Sequence, residues 1–196
     1  ASGEWPDSDE LDTGGRNPGV LAARFSLGKV GAAAVSRRAI LAYDDLFSIQ
    51  YMQRNLRPWW RRTGMTAFGM LRAADSEFAA LMDRSHKFDA ELIADLRRAG
   101  GQQYAEIAVL AYRQTLAAHK LAADIDGTAL YFSKENFSNG CIATVDVTYP
   151  SAPFMLALSP RLMAAMLEPI YQYASLPRWK FPFAPEFLAA IMFPRA

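Results

Sequence analysis

The chain has 196 residues, of which 52% are hydrophobic, 21% charged and 12% aromatic. This apolar content excludes a chain that is mainly disordered, and the length suits one domain, or one domain with part of a neighbour. Lys and Arg number 21 against 20 Asp and Glu, which leaves a formal net charge of +1 without the basic excess of a nucleic-acid binder. No stretch approaches the roughly 20 apolar residues that span a bilayer. We therefore expect neither a nucleic-acid partner nor a membrane span.

The first 43 residues are predicted to be a tail followed by strands. Residues 1–19 contain Gly, Pro, Asp and Ser with few apolar anchors, and they lack the features of a signal peptide. Two apolar runs, Val20–Leu27 and Ser36–Tyr43, have the composition of strands. Because two strands alone cannot bury both of their faces, we expect them to belong to a larger sheet upstream.

Helical periodicity dominates after about residue 44. The strongest pattern is Gln102–Ala123, and Ser159 and Pro160 fit the cap and first position of the last helix. A short strand is predicted at Ala129–Phe132, and Ser133–Pro153 is predicted to be a long irregular loop because it lacks periodicity. The complete set of predicted helices is Asp44–Arg62, Thr66–Met82, Phe88–Ala99, Gln102–Ala123, Phe154–Leu158 and Pro160–Ala174.

The predicted loop concentrates polar groups that could do chemistry. It holds two carboxylates, Glu135 and Asp146, together with Lys134, Asn136 and Asn139. Carboxylates can act as general acid and base, while a lysine and amides can bind a polar substrate. The alternative is a solvated loop whose polar groups bind its own backbone, since no nucleophile lies at a recognisable spacing from a base.

A second polar cluster lies in the first predicted helix. Asp44 and Asp45 are adjacent acids, and Arg61 directly follows Trp59 and Trp60. Adjacent acids can share a site, and tryptophan–arginine pairs form stacking walls for flat or sugar-like ligands. The alternative is a helix capped by one of the aspartates, with one tryptophan buried and the other exposed.

The histidines and the cysteine form no recognisable motif. His86 and His119 are too few and too separated for a His-rich zinc site, and Cys141 is the only cysteine, so an intrachain disulfide is excluded. We interpret the histidines as surface or interhelical residues and the cysteine as a small buried residue. Neither a metal nor a cofactor is expected.

Four separated blocks of sequence carry a family resemblance. They are LAYDDLFSIQYMQRNLRPWWRRTG, YAEIAVLAYRQTLAAHKLAAD, FSKENFSNGCIATVDVTYPSAPFML and LPRWKFPFAP. In this order they resemble the central region of the glutaminase A family, which comprises large secreted or cell-envelope proteins of fungi and bacteria. The resemblance covers roughly residues 19–185. It implies export from the cytoplasm, a β-rich N-terminal part and an α-helical toroid of the six-hairpin type.

The resemblance also implies how the chain is divided. The fold is expected to be mainly α, an incomplete (α/α) toroid of helix hairpins with a short N-terminal β segment. Residues 1–43 would be the tail and last strands of an upstream β-rich domain, and residues 44–196 would be the truncated first part of the toroid. After the last block the family continues with a His-Asp-Leu-Gly-type segment, whereas this chain has Glu186, Phe187, Leu188 and Ala189. We therefore expect the fragment alone to be inactive without the flanking domains of its parent chain.

The activity that the resemblance implies is hydrolysis of L-glutamine, a small-molecule substrate, to L-glutamate and ammonia. The predicted acid–base residues are Glu135 and Asp146, and the predicted substrate-binding residues are Lys134, Asn136, Asn139, Asp44, Asp45 and Arg61. Two other interpretations stay open. One is a toroid of the glycoside hydrolase type that uses paired acids and tryptophans, and the other is a non-catalytic helical fragment whose apolar faces need a partner domain.

Overall fold

The computed structural model describes residues 24–134, 140–185 and 188–189. The chain divides into two units, residues 1–41 and residues 42–196. Residues 24–41 of the first unit form neither helix nor strand, and Phe25 and Leu41 are among their exposed side chains. The predicted strands Val20–Leu27 and Ser36–Tyr43 are therefore wrong over residues 24–43. An extended segment becomes a strand only when a neighbouring backbone pairs with it, and none pairs with these residues in the described part of the chain.

The second unit is mainly α-helical with short antiparallel strands, which confirms the coarse fold prediction. Four strands form one sheet in the order β1-β2-β3-β4, and β5 pairs with β6. A short 3-10 helix, Trp59–Arg61, follows β2. The elements are β1 (Ile49–Tyr51), β2 (Arg54–Pro58), α1 (Ala67–Ser76), α2 (Phe78–Ala117), β3 (His119–Ala123), β4 (Ala129–Ser133), β5 (Cys141–Ile142), α3 (Val145–Leu158), α4 (Pro160–Ala174) and β6 (Leu188–Ala189).

The first predicted helix, Asp44–Arg62, is wrong, because these residues contain a β-hairpin. β1 and β2 pair antiparallel with Ile49 opposite Leu56. Met52 and Gln53 form the two-residue turn, with φ angles of 49° and 63°. Buried residues alternate with more exposed ones along both strands, which is the period of a sheet. A helical stripe can be drawn through the same apolar residues, but the core uses the two-residue period.

The two following helices begin and bend at recognisable residues. The hydroxyl of Thr66 accepts a hydrogen bond from the N–H of Gly69 at 3.1 Å, which caps α1. α2 spans 40 residues but is kinked at Gly101, where φ is 82° and ψ is −175°. The predicted helices Phe88–Ala99 and Gln102–Ala123 therefore belong to one helix that bends between them. The predicted helix Gln102–Ala123 extends too far, because α2 ends at Ala117 and β3 begins at His119.

The predicted loop Ser133–Pro153 is partly helical, because α3 begins at Val145. Pro150 and Pro153 lie inside α3, and together with β-branched residues they hide its periodicity in the sequence. α4 begins at Pro160 as predicted, although the preceding serine makes no side-chain cap hydrogen bond. Among the described helices, none combines the length and the apolar character needed to cross a membrane.

The hydrophobic core lies on both faces of β4. Leu130 and Phe132 enter one cluster with residues of β1, β2 and α4, while Tyr131 enters a second cluster with α3 and α4. This division follows from the alternation of side chains along a strand. Tyr51 packs edge-on against Phe132 with ring centroids 5.3 Å apart, and its hydroxyl donates to the carbonyl of Pro169 at 2.7 Å. These contacts fix the hairpin and the sheet on α4.

Candidate functional site

Several segments that carry polar residues come together at one end of the sheet, where β3 begins and β4 ends. The register places His119 opposite Ser133, and Lys134 continues the pairing by bridging to Ile142. The start of α3 is attached to the same point, because the N–H of Thr144 donates to Ser133 Oγ at 3.1 Å. We refer to the ionic residues that these segments carry as the charged end: Asp44, Asp45, Arg61, Lys120, Lys134 and Asp146.

Asp44 and Asp45 each hold a cation at the charged end. Arg61 donates two hydrogen bonds to Asp44, one of them from Nε to Oδ1 at 3.1 Å. Lys120 Nζ lies 2.8 Å from Asp45 Oδ2, and Ser48 Oγ donates to Asp45 Oδ1 at 3.2 Å. The hydrogen bond from Arg61 lowers the pKa of Asp44. The structure thus brings Asp44, Asp45 and Arg61 together, and the alternative of a helix cap is wrong because no helix begins there.

Lys134 and Asp146 lie on the two sides of the junction between β4 and α3. Lys134 is half-buried, and its N–H donates to the carbonyl of Ala118 at 2.9 Å. Asp146 is exposed in the first turn of α3, where Oδ1 accepts from the N–H of Val147 at 3.0 Å. The dipole of a helix favours a carboxylate in its first turn. The other three predicted residues, Glu135, Asn136 and Asn139, lie outside the described residues.

His119 belongs to this end of the sheet, although the helical pattern predicted it on a helix. It is the first residue of β3, and its ring stacks on Tyr131 with centroids 4.8 Å apart. Nδ1 lies 2.6 Å from the carbonyl oxygen of Thr115, so Nδ1 carries the proton and Nε2 presents a lone pair. Nε2 is buried and has no hydrogen-bond partner within the described residues. Burial lowers the pKa of His119. No local signal marks this residue, because the helical spacing continues through it.

We expect the pH dependence of stability to report this buried imidazole. Because its pKa is lowered in the folded state, the unfolded chain binds the proton more readily, and stability falls as the pH drops below about 6.5. His119→Gln should lose less unfolding free energy than wild type between about pH 7.5 and about pH 5.5, measured by urea unfolding. His86→Gln makes the same change at an exposed position of α2 and serves as the control. An equal loss in wild type and His119→Gln would contradict this assignment.

An arginine-lined cleft of about 300 Å³ borders the charged end. Arg61 belongs to both features. Gly64 and Gly127 help to line the cleft with φ angles of 81° and 87°, a conformation that favours glycine. A Cβ atom at either glycine would meet no heavy atom within 4 Å, so both border open space. The lining residues are Asn55, Arg57, Arg61, Arg62, Gly64, Ala123, Asp124, Ile125 and Gly127.

The two tryptophans support arginine side chains. The Arg61 guanidinium lies 4.5 Å from the Trp60 ring centroid, and the Arg62 guanidinium lies 4.2 Å from the Trp59 ring centroid. Both tryptophans are half-buried, so the expectation of one buried and one exposed indole is wrong. Such cation–π contacts orient the arginines, and they occupy one face of each indole that a sugar ring would need for stacking.

The comparisons with known proteins agree with the resemblance in the sequence. A "Domain of unknown function (DUF5127)" matches residues 6–95, and the "Glutaminase A six helical-hairpin domain" matches residues 101–196. "Glutaminase A" of Aspergillus oryzae is 34% identical over 159 residues, which cover 78% of this chain and 23% of that protein. The chain belongs to the glutaminase A family. A second relative in this naming group, "Probable glutaminase" of Arthroderma benhamiae, is 36% identical over 89 residues, which cover 45% of this chain and 10% of that protein.

Membership in the glutaminase A family gives the described elements a context. The chain spans less than a quarter of the length of either relative. The first matched region ends at residue 95 and the second begins at residue 101, so the boundary between them lies inside α2 at the kink. The six-hairpin match therefore includes the second part of α2, strands β3 and β4, and helices α3 and α4. No solved structure matches the chain. Within the described residues, no group of three or more His, Cys, Asp or Glu side chains is arranged to hold a metal ion.

Proposed function

We propose that the complete protein hydrolyses L-glutamine to L-glutamate and ammonia, and that the charged end takes part in the reaction. The observation that carries this proposal is the convergence of carboxylates and cations from separate segments in a chain whose relatives are named glutaminases. L-Glutamine carries an α-carboxylate, an α-ammonium group and a neutral amide. In the proposal, Arg61 and Lys134 bind the carboxylate, while Asp44 and Asp45 bind the ammonium group, through charge-assisted hydrogen bonds.

The chemistry of amide hydrolysis gives the remaining residues their proposed roles. The reaction needs an activated water, a proton donor for the departing ammonia and a stabilised oxyanion. Glu135 and Asp146 are the proposed acid and base, and Asn136 and Asn139 are proposed contacts to the substrate or the oxyanion. Asp146 supports this role by being exposed beside the end of β4, where a substrate can reach it. Water attacks the amide carbon, and the C–N bond breaks as the acid donates a proton to nitrogen.

The setting of the reaction is also a proposal. We infer that the described helices join further hairpins in an (α/α) toroid, and that the protein acts outside the cytoplasm, as a secreted or cell-envelope enzyme. Support for further packing comes from apolar side chains on the helix surfaces, since Ile107 of α2 is 71% exposed and Leu156 of α3 is 60% exposed. Residues 1–196 alone are therefore expected to lack glutaminase activity.

Substrate comparison on the complete protein tests this function. Release of ammonia is measured with L-glutamine, and release of reducing sugar is measured with a panel of glycosides. The proposal predicts ammonia from L-glutamine and no turnover of the glycosides. Glycoside hydrolysis without ammonia release would overturn the proposal and would favour the other chemistry known to use paired carboxylates.

A further inference from the structure

We infer that the arginine-lined cleft is a binding site for a small dicarboxylate, beside the charged end with which it shares Arg61. Its volume of about 300 Å³ lies in the range of small-molecule pockets. The cleft opens where β2 and its following turn face the turn between β3 and β4, so residues near position 60 and near position 125 close it together. The dicarboxylate class follows from the charges of the lining side chains.

Two ion pairs at the cleft carry no net charge. Arg61 is bound to Asp44 through two hydrogen bonds. Asp124, whose side chain is 3% exposed, lies with Oδ1 3.0 Å from Arg54 Nη1. These pairs leave no net charge, and Asp124 is the one carboxylate among the described residues that line the cleft. The remaining lining charges are both positive.

Arg57 and Arg62 carry those two positive charges, and neither has a carboxylate partner within the described residues. Arg62 is held in place, because it stacks on Trp59 and its Nη1 donates to the Trp59 carbonyl at 3.0 Å. Arg57 lies 5.9 Å from the ring centroid of Phe47. A guanidinium has five N–H donors in a planar fork that matches a carboxylate. Two such groups lining one cleft match the charge of a ligand with two carboxylates.

Binding to the complete protein tests the inference with three probes: succinate, butyrate and inorganic phosphate. Succinate has a second carboxylate that butyrate lacks, and calorimetric titration should show succinate binding at least tenfold more tightly than butyrate or phosphate. Arg57→Gln with Arg62→Gln should weaken succinate at least tenfold. Arg84→Gln with Arg97→Gln removes the same charge from exposed positions of α2 and should change nothing.

Several results would overturn the inference. These are equal affinity for succinate and butyrate, phosphate binding as tightly as succinate, or succinate affinity that is unchanged in Arg57→Gln/Arg62→Gln. Glutamine turnover is measured in parallel. The double variant should retain turnover, because Arg57 and Arg62 have no role in the proposed reaction. Loss of turnover would show that the cleft is part of the reaction site and would overturn the inference. Arginine-dependent succinate binding in a protein that does not hydrolyse glutamine would support the cleft while overturning the proposed function. If the double variant fails to fold, Arg57→Gln is tested alone. This variant should fold because the side chain of Arg57 is exposed, and its affinity for succinate should be severalfold lower.

Discussion

Phe132→Ala is expected to lower the free energy of unfolding by about 4 kcal/mol, the largest effect of a single substitution that the core predicts. The side chain has an exposed fraction of 0% and lies in the cluster that joins β1, β2 and α4 to β4. Its ring also packs edge-on against Tyr51 at 5.3 Å. Removing it leaves a cavity bounded by strands and a helix that cannot close together without breaking their register. Urea unfolding, monitored by tryptophan fluorescence, measures the loss.

Two controls separate the cavity from a general effect of losing a phenylalanine. Phe68→Ala makes the same change on α1, where the side chain is 74% exposed, and should alter stability by less than about 0.5 kcal/mol. Phe132→Leu keeps most of the apolar volume and should lose about 1 to 1.5 kcal/mol. A loss below about 1 kcal/mol in Phe132→Ala would show that this cluster is not the centre of the core.

Arg54→Met is expected to lower the free energy of unfolding by about 3 kcal/mol. Arg54 lies 3.0 Å from Asp124, whose side chain is only 3% exposed. Methionine keeps most of the aliphatic length but leaves a buried carboxylate without its cation, and a backbone hydrogen bond from Ile125 at 2.8 Å is a weak replacement. Urea unfolding of the variant and the wild type measures the difference.

The double variant Arg54→Met/Asp124→Asn shows whether the uncompensated charge is the cause. Asparagine can still accept the backbone hydrogen bond but carries no charge, so the double variant should be more stable than Arg54→Met alone. Arg84→Met changes an exposed arginine of α2 and should alter stability by less than about 0.5 kcal/mol. Equal losses in Arg54→Met and Arg84→Met would contradict the importance of the buried pair.

Elements with local end signals could be predicted from the sequence, whereas elements defined by distant partners could not. Pro160 marks the start of α4 wherever the helix packs, and Ala129–Phe132 lies inside the observed β4. The hairpin at residues 49–58 has the sequence pattern of a helix as well, because Ile49 and Met52 also fit a helical stripe. Its strand character depends on β2 pairing with β3, which is more than 60 residues away in sequence.

The candidate site also has one part that could be predicted from the sequence and another that could not. Asp44 and Asp45 could be grouped with Arg61 because they are close in sequence, and the structure adds that they form ion pairs with Arg61 and Lys120. The cleft could not be found, because it needs the register that sets Arg57 opposite Ala123. The position of His119 could not be predicted for a related reason, since this residue begins a strand only because α2 ends at Ala117.

The reaction proposed at the charged end is tested most directly by the kcat for L-glutamine of the complete protein carrying Glu135→Gln or Asp146→Asn. Each substitution keeps the shape of the side chain and removes its capacity for proton transfer, so at least one variant should lose kcat by about 100-fold or more. Asp83→Asn makes the matched change at an exposed position of α2 and should keep the wild-type rate. Rates near wild type in both Glu135→Gln and Asp146→Asn would contradict the assignment of the reaction to this end of the sheet.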